Sequence, residues 1–72
     1  MRIFVFKSET RNALRAFAGD FTGTRLPERF GPWRLIGQIP TGAPLPHKIP
    51  RPGIEEAIQS EGFQLWRRKA AT

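Results

Sequence analysis

The hydrophobic and polar positions fall into short runs of differing period. Residues 2–6 alternate without a breaker, with Ile3 and Val5 on one face and Phe4 and Phe6 on the other. This pattern predicts a strand covered on both sides. Ser8 then stands where a helix N-cap belongs, with Glu9 behind it, and Thr10, Ala13, Leu14, Phe17 and Ala18 recur at three- and four-residue spacing up to Gly19. That spacing predicts a short helix over residues 9–18, with a strand through Leu14–Phe17 as the alternative. Residues 19–32 carry the turn chemistry of a loop (Gly19-Asp20, Thr22-Gly23-Thr24, Pro27, Gly31-Pro32).

Trp33 to Ile39 reads as a second strand, bulged at Gly37, and five of the seven prolines then fall in residues 40–52, an extended connector. Gly53 to Glu61, stopped by Gly62, predicts a helix with Glu55 and Glu56 in its first turn. Phe63 to Trp66 predicts a third strand, with Phe63 and Leu65 on one face and Trp66 on the other. The expected fold is α+β: a small three-stranded sheet with one or two short helices on one face, in a single domain over residues 1–69. Residues 70–72 are expected to form a frayed tail. If the last two strands are parallel, the helix between them makes a right-handed crossover.

With 72 residues the chain holds one domain with a modest core, and no large pre-formed cavity is expected. Cysteine is absent, which excludes disulfide staples and thiolate metal sites. The apolar stretch near the amino terminus is too short for a signal peptide and no run approaches a membrane span, so a cytoplasmic protein with no membrane partner is expected. Candidate chemistry is sparse. His47 is the single histidine and lies in the proline-rich connector with no carboxylate close in sequence. No metal-ligand spacing, nucleophile elbow or phosphate-binding loop is present, so neither catalysis nor a cofactor is expected.

Charge changes the picture. Twelve Lys and Arg stand against six Asp and Glu, a net +6 that favours a polyanionic partner. Arg, Ala, Gly and Pro together make up 30 of the 72 residues, so GC-rich coding accounts for the same excess equally well. On the expected first helix Lys7, Arg11 and Arg15 lie four apart along one edge, without an acid at ion-pair spacing from either arginine. Arg25 and Arg29 repeat the spacing, and Arg67, Arg68 and Lys69 close the chain. The acids gather instead on the second helix. These residues are the candidate phosphate contacts for RNA or single-stranded DNA, with Trp66 as a stacking platform. The more usual use of both indoles in so small a chain is to close the core. The competing expectation is an accessory domain that binds a protein through its sheet edge. The sequence leaves the oligomeric state open.

Leu26-Pro27 followed by Gly31-Pro32-Trp33, with Gly62-Phe63 near the end, resembles a group of short bacterial proteins. The resemblance implies a bacterial intracellular protein and no particular activity.

Overall fold

A computed structural model describes residues 1–67, so the tail expected at 70–72 lies outside the described residues. Four strands form one antiparallel sheet: β1 (Ile3–Ser8), β2 (Leu14–Ala18), β3 (Trp33–Ile39) and β4 (Phe63–Arg67), in the order β3-β1-β2-β4. A single α-helix, α1 (Arg51–Glu61), joins β3 to β4. The fold is α+β, as expected, with one helix and with four strands in place of three.

The extra strand replaces the helix expected over residues 9–18 and matches the alternative of a strand through Leu14–Phe17. β2 pairs with β1 through Phe4–Ala18, Val5–Phe17, Phe6–Ala16 and Lys7–Arg15, closing a hairpin around residues 9–13. Two signals misled. Leu14-Arg15-Ala16-Phe17-Ala18 also alternates, but its alanines favour helix intrinsically. They suit a strand here because Ala16 and Ala18 are buried where Leu26 packs close to the sheet. The Ser8 cap is real chemistry in another setting: its Oγ accepts from the Thr10 and Arg11 N–H groups and orders the hairpin turn.

Both sheet faces are covered. On the helix face Ile3, Phe17, Leu45 and Ile58 form a core joined by Val5, Ile39, Ile49, Ile54 and Trp66. On the loop face Phe6, Ala16, Ala18 and Leu26 pack with Phe4, Trp33, Phe63 and Leu65. Two further bonds hold residues 19–32 there: Ser8 Oγ donates to the Phe30 carbonyl (2.5 Å) and Trp33 Nε1 to the Pro27 carbonyl (2.9 Å). The Gly31–Pro32 bond is cis.

Opposite each other at the two edges, β3 and β4 run antiparallel, so the parallel crossover does not occur. The bulge falls at Ile36, where the β1–β3 register shifts, one residue before the expected Gly37. α1 begins at Arg51, earlier than expected, which moves Glu55 and Glu56 beyond the first turn. Gly62 ends it in the left-handed region (φ 91°). No helix among the described residues is long and apolar enough to cross a membrane.

Candidate nucleic-acid interface

Register decides which cations meet. Lys7 lies opposite Arg15 on β2 and opposite Arg34 on β3, and Arg15 lies opposite Trp66 on β4. Directly opposed residues share a face at about 5 Å between their Cβ atoms. Arg34, Lys7, Arg15 and Trp66 therefore form one row across the helix face, at the hairpin end of the sheet. The helix-edge alignment of Lys7, Arg11 and Arg15 does not exist, but two of the three are neighbours for a different reason.

Around the same end stand three further cations. Arg11 in the hairpin turn and Arg29 both place a guanidinium over the Phe30 ring, at 5.3 and 4.8 Å from its centroid. Arg67 ends β4 opposite Leu14. Glu9 and Glu28 are the acids nearby in sequence, yet Arg51–Glu55 at the far end (2.6 Å) is the one ion pair among the described residues.

Four acids lie toward the opposite end, together with Arg2, Arg25 and Arg51. Asp20 follows β2, Glu61 precedes β4, and Glu55 and Glu56 lie on α1. Asp20 caps its own turn: Oδ1 accepts from Thr22 Oγ1 (2.7 Å), Gly23 N (2.8 Å) and Thr22 N (3.0 Å). The Thr22 hydroxyl and the Gly23 N–H, helped by Arg25, hold its carboxyl below the usual range.

Several candidate residues stand differently from expectation. Arg15 is 9% exposed, and its guanidinium donates to the Asn12 and Leu14 carbonyls (2.8 and 3.3 Å), so it braces the hairpin instead of facing solvent. Arg25 lies away from the cationic end, its stem packed against Gly62. Trp66 is half-buried, stacked on Phe17 (5.4 Å, 19°) with His47 tilted against it at 5.6 Å, and belongs to the core. An exposed stacking platform at Trp66 is therefore replaced by a core indole whose Nε1 is buried without an acceptor among the described residues. Arg68 and Lys69 lie outside the described residues.

Arg34 had no partners in the linear reading and gains its place from the β1–β3 register alone. No group of three or more metal-ligating side chains occurs among the described residues. No protein family, curated protein or solved structure matches the chain.

Proposed function

We propose that the protein is a non-enzymatic binding module whose cationic end holds RNA or single-stranded DNA, in a bacterial cytoplasm. One observation carries this reading: Arg34, Lys7 and Arg15 stand side by side across three strands with no carboxylate at ion-pair distance among the described residues. Like charges directly opposite one another destabilise a sheet. A polyanion held against Lys7 and Arg34 relieves that repulsion and releases its own counterions, and both effects favour binding.

Lys7, Arg11, Arg29, Arg34 and Arg67 are the contacts for phosphates, and Arg15 holds the turn that presents them. Phe30, between Arg11 and Arg29, takes over from Trp66 as the aromatic element of the surface. Arg25 leaves the contact set.

Lys7→Glu combined with Arg11→Glu tests the assignment, since Arg34 and the core are untouched. Affinity for a mixed-sequence single-stranded RNA, read by fluorescence anisotropy, is expected to fall at least about tenfold while circular dichroism stays unchanged. Unaltered affinity in the double variant would place the binding surface elsewhere. A protein partner alone is the competing reading, and it draws on the exposed apolar edge at Leu35 and Ile36. Retention of a partner from extract after nuclease treatment, with no RNA affinity in the pure protein, would favour it.

A further inference from the structure

The β3 edge combines features that sheet edges ordinarily avoid. It is seven residues long, without proline, and carries one charge, Arg34. Leu35 and Ile36 are 44% and 50% exposed on it. A shallow groove flanks the strand on each side. One, of about 440 Å³, runs between Ile36, Gly37 and Ile39 and the connector at Pro44 and Leu45. The other, of about 480 Å³, lies between Leu35 and Gln38 and the rings of Phe4 and Phe21, with Phe21 68% exposed. Such an edge is a template for another strand. At the other edge α1 packs against β4.

We propose that β3 pairs with β3 of a second copy, antiparallel about a two-fold axis between Ile36 and Gly37, so that two sheets join into one of eight strands. The register follows from side-chain faces. Arg34, Gly37 and Ile39 share the helix face with their β1 partners Lys7, Val5 and Ile3, while Leu35 and Gln38 share the loop face with Phe6 and Phe4. Pairing Arg34 with the second copy's Ile39, Leu35 with its Gln38 and Ile36 with its Gly37 keeps every pair on one face. The bulges meet at the axis, and the exposed Ile36 lies across a glycine whose Cβ position is empty to 4 Å.

Charge selects the direction. Cations gather at the start of β3, whereas at its far end Arg2, in the groove beside Phe21, stands with Asp20. Antiparallel pairing therefore holds the two cationic ends apart, and a parallel arrangement would bring them together. An edge of about 23 Å with its flanking grooves suits an interface below about 1,200 Å² in total, the size of a reversible dimer. The proposal stands apart from the nucleic-acid reading, since it needs no ligand.

Sedimentation equilibrium of the full chain between roughly 10 and 500 µM, without nucleic acid, tests it. A monomer–dimer equilibrium is expected, tightening as salt screens the repulsion between two +6 molecules. Ile36→Lys should give a monomer with unchanged circular dichroism. Because the chain has no cysteine, nitroxide labels can be placed singly at Ile36→Cys and at Arg34→Cys. Labels at 36 are expected to be closer than labels at 34, whose backbones lie five residues apart along the pair, about 17 Å. A monomer throughout, a dimer indifferent to Ile36→Lys, or labels closer at 34 than at 36 would each overturn the proposal.

Discussion

Lys7 is held between two like charges, so function and stability pull on it in opposite directions. Lys7→Glu converts two repulsive cross-strand pairs into attractive ones, and should raise stability by about 0.2–1 kcal/mol per pair. The same substitution should weaken RNA binding, and urea unfolding beside anisotropy reads both effects on one variant. Loss of stability on Lys7→Glu would mean that the row carries no electrostatic strain. Ser8 shows the opposite behaviour, since its buried hydroxyl serves the Phe30 carbonyl and the Thr10 and Arg11 N–H groups. Ser8→Ala leaves those groups short of partners and should cost about 1–3 kcal/mol in urea unfolding. Asp20 sets a pH dependence. Its folded pKa is depressed, so its contribution is present above the unfolded value of about 3.9 and is lost as pH falls through the lower folded value. Asp20→Asn should therefore destabilise the protein at pH 6 by more than it does in acid, as unfolding at the two pH values will show.

At the scale of elements, two residues tie segments distant in sequence. Arg51 donates to the carbonyls of Pro40 and Ala43, to that of Met1, and to Glu55, joining the start of the chain, the connector and α1. Gly62 ends α1 at a positive φ with the Arg25 side chain lying where its Cβ would stand. Gly62→Ala should cost at least about 1–2 kcal/mol, from the left-handed backbone alone, by thermal unfolding. Much of this level was legible in the chain. β1, β3, α1 and β4 follow from alternation, a proline run and a glycine stop. β2 was obscured because alanine records helix propensity, whereas Ala16 and Ala18 are selected by how closely Leu26 approaches the sheet. The cationic row was half legible: Lys7 and Arg15 stand out, but a helical period cannot reveal that Arg34 is their neighbour. That adjacency exists only once three strands are in register. Trp66 was ambiguous for a plain reason. Its sheet face could be inferred, while the burial of that face depends on Phe17 and the connector.

The whole molecule is about 31 × 29 × 18 Å, and its cations are sorted unevenly along the strand direction. One end presents Lys7, Arg11, Arg29, Arg34 and Arg67 around the buried Arg15 with Glu9 and Glu28, and the other carries Asp20, Glu55, Glu56 and Glu61 with Arg2, Arg25 and Arg51. GC-rich coding accounts for the number of arginines but not for their distribution over the surface. The salt dependence of RNA affinity, in the parent protein and in Lys7→Glu with Arg11→Glu, measures the consequence of that sorting directly. With about five phosphates neutralised, log K should fall against log salt with a slope near −3.5 for single strands, and the double variant should shallow it by about 1.4. A parent affinity no tighter than about 10⁻⁴ M at physiological salt, or a slope that the two substitutions leave unchanged, would contradict the account.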